Sequence, residues 1–250
     1  MTCQEETMVQ ILPDLAPFLT WTEILAKMSH VNRALCSAIQ GSSNILRSVD
    51  FVGMQVGLER VKRIVLRNAR SLRSIRVGFG SMSEINSFCD WMCDERMRSL
   101  RQNLLIFELH ITFYNGSVYI PGHTLDLIRQ AGKAYPENCA SSAIEVILNI
   151  PEISASAVNF ILHPEICSRI SVLASLHANV SPIQDAVLSH CIQSVESTVT
   201  TLHLGGMIGP KTSLDRELFG PVLRNRLQFI HLSGNCATSV DFHGARDGAR

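Results

Sequence analysis

The sequence predicts an α/β fold: a solenoid whose curved parallel sheet carries helices on its convex side, preceded by a small helical cap. Three observations predict it. An apolar skeleton, L-x-x-L-x-L, recurs along the chain at a spacing of about 28 residues. The stretches between its copies carry apolar residues at three- and four-residue spacing, the period of a helix with one buried face. Residues 11–39, ILPDLAPFLTWTEILAKMSHVNRALCSAI, read as two short apolar helices ahead of the first copy.

The expected organisation is a helical segment over 8–42, a repeat region over 43–236 and a tail over 237–250. In the first, Leu12, Leu15, Phe18, Leu19, Ile24, Leu25 and Val31 supply the apolar positions. Pro13 opens the segment, and Pro17 removes a backbone donor within the first helix and forces a break there.

The repeat copies stand at Leu46/Val49/Phe51, Leu72/Ile75/Val77, Leu104/Phe107/Leu109, Val199/Leu202/Leu204 and Leu227/Ile230/Leu232. Weaker copies near Ile144/Ile147 and Ile170/Leu173 leave the register open by one residue. In a strand alternate side chains share a face, so the second and third apolar positions point to one core and the residue between them points away. Helices are expected over 83–97, 124–134, 154–162, 182–192 and 213–223, with Ser154 and Ser213 as N-caps and Pro182 in a first turn, where proline is tolerated. After the last strand the chain ends in Gly-Ala-Arg-Asp-Gly-Ala-Arg with no apolar capping helix, which predicts a disordered tail or a truncated solenoid.

With 46% apolar and 18% charged residues the 250-residue chain lies outside the disordered regime and can bury a sizeable core. A formal net charge of zero supplies no global attraction to nucleic acid or anionic membrane. The most apolar stretch, 143–162, holds Glu145, Pro151 and Glu152, which excludes a membrane span there. Eight cysteines without framework spacing suit reduced thiols, and with the polar N-terminus they predict a cytoplasmic or nuclear location.

The last repeat, Leu227, Ile230, Leu232 and Asn235, spells LxxIxLxxN, and the series resembles the longer, helix-containing leucine-rich repeats. At the asparagine position of other copies stand Met54, Gly80 and Met207, which cannot supply the side-chain bond that the family's asparagine makes to neighbouring turns. The segment 11–39 resembles an F-box, the helical module by which substrate receptors of cullin-type ubiquitin ligases grip a Skp-type adaptor. The resemblance implies adaptor binding through Leu12, Pro13, Leu15, Phe18, Leu19, Ile24, Leu25 and Val31. The family's late tryptophan is missing here, with Leu35 or Cys36 near that place; a cap sealing the first repeat is the competing role.

Chemistry-bearing candidates are few. Cys89 and Cys93 stand one helical turn apart, but no second pair follows at zinc-site spacing, so they are expected to be ordinary thiols. His163 with Cys167, and His190 beside Cys191, lack a specified orienting group for nucleophilic catalysis. Gly205-Gly206-Met207-Ile208-Gly209 departs from the dinucleotide-binding spacing and is followed by Pro210, so a doubly wound enzyme is disfavoured. No catalytic residue, metal or cofactor is expected.

The repeat register instead predicts a partner-binding concave face. Asp50, Arg76, Glu108, His203 and His231 occupy the outward position between the core residues, with Ser74, Ile106, His110, Thr201 and Phe229 beside them. His203 and His231 should lie on neighbouring strands, about 4.8 Å apart, where paired imidazoles could respond to pH. The seven cations between 60 and 76 read as a solvated helix face, because Val61, Ile64, Val65 and Leu66 are interleaved with them; nucleic-acid binding is the lesser reading. The expected function is protein recognition: by resemblance, substrate selection in a cullin-type ubiquitin ligase, with an unknown protein target. The alternatives are a leucine-rich repeat scaffold without a ubiquitin role and, in another class, a degenerate α/β enzyme.

Overall fold

Among the described residues seven strands form one sheet, every neighbouring pair parallel, in strict chain order from β1 to β7. The computed structural model describes residues 46–54, 56–111, 143–176, 182–205 and 227–233. The helical segment expected over 8–42, the helices expected over 124–134 and 213–223, and the tail over 237–250 lie outside them.

In order along the chain the elements are β1 (Ser48–Asp50), α1 (Leu58–Arg67), β2 (Ser74–Phe79), α2 (Met82–Met92), a 3-10 turn (Glu95–Met97), α3 (Arg98–Asn103) and β3 (Ile106–Ile111). Then follow β4 (Ile144–Asn149), α4 (Ala155–Ile161), α5 (Pro164–Cys167), β5 (Ile170–Ser175), α6 (Pro182–Val195), β6 (Thr201–Gly205) and β7 (Phe229–Ser233). Parallel neighbours require a crossover, and the strand–helix–strand spacing of the sequence supplies one. A doubly wound arrangement is excluded for these elements, because the strand order never reverses.

Capping residues set the helix starts. Ser81 accepts from the Glu84 backbone N–H at 3.3 Å while its hydroxyl bonds the Glu84 carboxylate, a reciprocal cap that starts α2 one residue earlier than the apolar spacing indicates. The expected single helix over 83–97 divides: α2 ends at Met92, and Asp94 caps the 3-10 turn by accepting from the Arg96 N–H at 2.9 Å. Ser154 caps α4 as expected, accepting from the Ala157 N–H at 3.3 Å, and Pro182 stands at the start of α6. Gly53, at φ 76°, makes the turn that leaves β1 in a region few other residues adopt.

The described helices pack on one face of the sheet. Val49, Ile75, Val77, Phe107, Leu109, Leu173 and Leu202 share a core with Val61 and Val65 of α1, Ile85 and Phe88 of α2, Phe160 and Ile161 of α4 and Cys191 and Val195 of α6. Phe107 and Phe160 meet at 4.4 Å between ring centroids, and Phe88 lies 6.5 Å from Phe107 in a stacked orientation. Each such buried ring contributes about 1.5–3 kcal/mol through removal from water. α2 packs on α4, and α3 on α5.

The weak fourth copy needs correction. Val146 and Leu148, not Ile147, join the helix-side core, because Phe107 pairs with Val146 and Leu109 with Leu148. The register shifts between Ile144 and Glu145: Ile144 pairs with Ile170 but Glu145 with Val172, so β5 has one residue more at its start than β4. Ile147 therefore turns to the opposite face, where it clusters with Val172, Ala174 and Leu176.

Candidate functional site

On the face opposite the helices the register lines up Asp50, Arg76, Glu108, Ile147, Ala174 and His203 in a single row, one from each of β1 to β6. Alternation puts Ser74, Ile106, His110 and Thr201 on the same face. In the backbone register Phe229 pairs with Thr201 and His231 with His203. Asp50, Ser74, Arg76, Ile106, Glu108, His110, Thr201 and His203, selected from the sequence as outward positions, thus share one face.

That face is buried over much of its width, where the sequence predicts a partner-binding concave surface. Glu108 is 0%, His110 4% and His203 1% exposed, and Thr201 is buried too. Asp50 and Arg76, at the β1 end, keep partial exposure. The physical reason is visible in the middle of the row. Ile147 and Ala174 follow Glu108, so the face passes from charged to apolar between β3 and β4, and apolar sheet surface is stable only when covered.

The buried charges satisfy one another. Arg76 donates through Nε to Glu108 Oε2 at 2.7 Å and through Nη1 to Asp50 Oδ2, so one guanidinium spans three strands. Its pKa is raised: burial alone would lower it, but the charges and hydrogen bonds of Glu108 and Asp50 outweigh burial. His110 Nε2 lies 3.4 Å from the same Glu108 oxygen, and Asn149 Nδ2 lies 3.3 Å from His110 Nδ1. The His110 ring thus stands between the Glu108 carboxylate and the Asn149 amide. Asn149 Oδ1, at the far end, finds no hydrogen-bond partner among the described residues. The chain Asp50–Arg76–Glu108–His110–Asn149 holds β1 to β4 in register.

A second polar cluster lies among the helices. Arg101, 1% exposed, donates to the backbone oxygens of Met92 and Asp94 at 2.8 and 2.7 Å and through Nε to Glu165 Oε2 at 2.8 Å. Arg98 and Gln102 reach the other Glu165 oxygen, and Arg169 donates to the carbonyls of Arg101 and Leu104. These bonds join α3 to α5 and are structural.

The thiols are equally structural. Burial pushes Cys89 and Cys93 up, the neighbouring Asp90 adds to it, and burial raises Cys191 to about 11, the opposite of an activated nucleophile. His163 caps α5 by accepting from the Glu165 N–H at 3.3 Å, while His190 is exposed on α6. Among the described residues no three His, Cys, Asp or Glu side chains gather in a metal-binding group, and no helix is long and apolar enough to cross a membrane. The adaptor-facing residues expected in the N-terminal segment, from Leu12 to Val31, lie outside the described residues.

One accessible site escaped the sequence reading. α1 and α2 enclose a hollow of about 350 Å³ lined by Glu59, Lys62, Arg63, Leu66, Trp91 and Arg96. Leu66, one of the apolar residues interleaved with the cations of α1, is 45% exposed there. Val61 and Val65 do turn inward, and the clue to the hollow was Leu66 standing one residue beyond them, off the buried stripe. No family model matches the chain, and neither does any curated protein or solved structure.

Proposed function

We propose that this chain is a catalytically inert protein-interaction subunit, a leucine-rich-repeat-like solenoid serving as the substrate receptor of a cullin-type ubiquitin ligase. The observation that supports the first part is the sheet itself: seven parallel strands in chain order, with the described helices against one face. Strands paired in chain order are what a repeat array requires, and such arrays offer long surfaces suited to binding other proteins. The ligase role rests on the resemblance of residues 11–39 to an F-box, with Leu12, Pro13, Leu15, Phe18, Leu19, Ile24, Leu25 and Val31 on the adaptor side. The buried polar chain from Asp50 to Asn149 favours binding over catalysis: its charges are committed to one another, and a catalytic base needs reach to substrate.

The test is capture of a purified Skp-type adaptor by the intact chain, repeated with Leu12→Ala and Phe18→Ala. The expected result is capture by the intact chain and its loss in the double variant. Absence of capture by the intact chain overturns the ligase role and leaves the scaffold reading, in which the same array binds partners with no ubiquitin chemistry.

A further inference from the structure

The hollow between α1 and α2 combines apolar and cationic surface in a way the remainder of the described helix face does not. On α1, Glu59, Lys62, Arg63 and Leu66 follow the helical three- and four-residue spacing and form a single stripe beside the buried Val61 and Val65. Opposite stands Trp91, half-buried, its ring 5.7 Å from Phe88 and so anchored to the core while the rest lines the hollow. Leu66 is left with nearly half its surface in water. An exposed leucine facing an indole across a cavity is apolar surface prepared for covering.

Charge identifies what would cover it. The lining holds Lys62, Arg63 and Arg96 against Glu59. Lys62 is seated low, donating to Ser87 Oγ at 3.1 Å and pairing with Glu59 at 3.4 Å. Arg96 is held by two bonds to Asp94, at 3.0 and 2.8 Å. Arg63 is exposed and has no ion-pair partner among the described residues, so it is the lining cation open to an incoming carboxylate. We infer that this hollow binds a peptide segment carrying one large apolar side chain and an acidic residue close to it, the apolar group on Leu66 and Trp91 and the carboxylate on Arg63.

A nucleic acid fits less well. The carboxylates of Glu59, in the lining, and of Asp94, bonded to Arg96, would repel a continuous run of phosphates, and Leu66 offers nothing to a sugar–phosphate backbone. A peptide can space its charges around those acids. The inference rests on the interaction-subunit reading but not on the ligase role, and it places the recognition surface on the helix side, away from the closed face of the sheet.

The chain has two tryptophans, Trp21 and Trp91, so Trp21→Phe leaves the indole of the hollow as the sole reporter. The probe is a short synthetic peptide with a central Leu, one Glu on either side of it and Gly or Ser elsewhere, followed by Trp91 emission in that variant and by anisotropy of the labelled peptide with the unaltered chain. Saturable binding is expected by both measurements. Arg63→Glu and Leu66→Asp, both at exposed positions, should each weaken it about tenfold or more, the size of one lost charge pair or apolar anchor. The inference is overturned if the peptide gives no saturable signal, if both variants bind as well as the parent, or if a uridine oligomer binds more tightly than the peptide. Leu12→Ala with Phe18→Ala should leave peptide binding intact, so loss of adaptor capture and loss of peptide binding are separate results.

Discussion

Arg76 and Glu108 sit directly opposite each other on β2 and β3, and their 2.7 Å bond places a carboxylate with no solvent exposure against a guanidinium that water still reaches. The pair is half of a bridge, since the same Arg76 also holds Asp50 on β1.

Arg76→Met should therefore destabilise the chain by about 2–4 kcal/mol, because Glu108 keeps its burial and loses its cation. Combining it with Glu108→Leu should recover part of the loss, as two apolar groups no longer carry that desolvation. Urea unfolding of both single variants and the double variant measures the coupling; strictly additive effects would show that the bridge carries no interaction energy.

Glu165 should make stability depend on pH. Burial works against its charged form, but the bond from Arg101, and then the charges of Arg101 and His163, outweigh it and hold its pKa below the ordinary 4.5. A carboxyl depressed by folding contributes stability above its unfolded value, and the contribution is lost as pH falls through the lower folded value. Glu165→Gln should then cost about 1 kcal/mol at neutral pH, a modest figure because the carboxylate is partly in water, and less near pH 3. A gap in urea midpoint that stays constant between the two conditions would contradict this.

Asn68 should prove as costly to lose as a buried apolar residue. It lies between α1 and β2, accepts from the Leu46 N–H at 3.1 Å and donates to the Ile64 carbonyl at 2.9 Å, all in buried or half-buried surroundings. Asn68→Ala leaves the amide of Leu46 without that acceptor, at a cost of about 1–3 kcal/mol. Thermal unfolding followed by circular dichroism checks it, and an unchanged midpoint would mean that the bond adds nothing to the fold.

Much of the sheet was legible because strand alternation is a local property. Ile75 with Val77, Phe107 with Leu109 and Leu202 with Leu204 face the helix-side core as their spacing indicates. β4 was not legible to the residue. Glu145-Val146-Ile147-Leu148 holds three consecutive apolar residues, so either alternate set suits a core, and only pairing with Phe107 and Leu109 selects Val146 and Leu148. The hollow was hidden for a related reason: Leu66 is as apolar as Val65, and it is the side of α1 chosen for burial, that of Val61 and Val65, that leaves one out and takes the other in.

The sequence by itself determined the order of the strands, the cap at Ser154, the proline in the first turn at 182 and the outward positions of Asp50, Arg76, Glu108 and His203, because each follows from residues close together in the chain. The tertiary structure alone decided that the row is largely closed rather than open, that Arg76 bridges Asp50 and Glu108, and that Leu66, Arg63 and Trp91 meet across a hollow. The reason is that periodicity states which side chains share a face, whereas what covers that face and what it pairs with depend on segments far apart in sequence, and no local pattern records them.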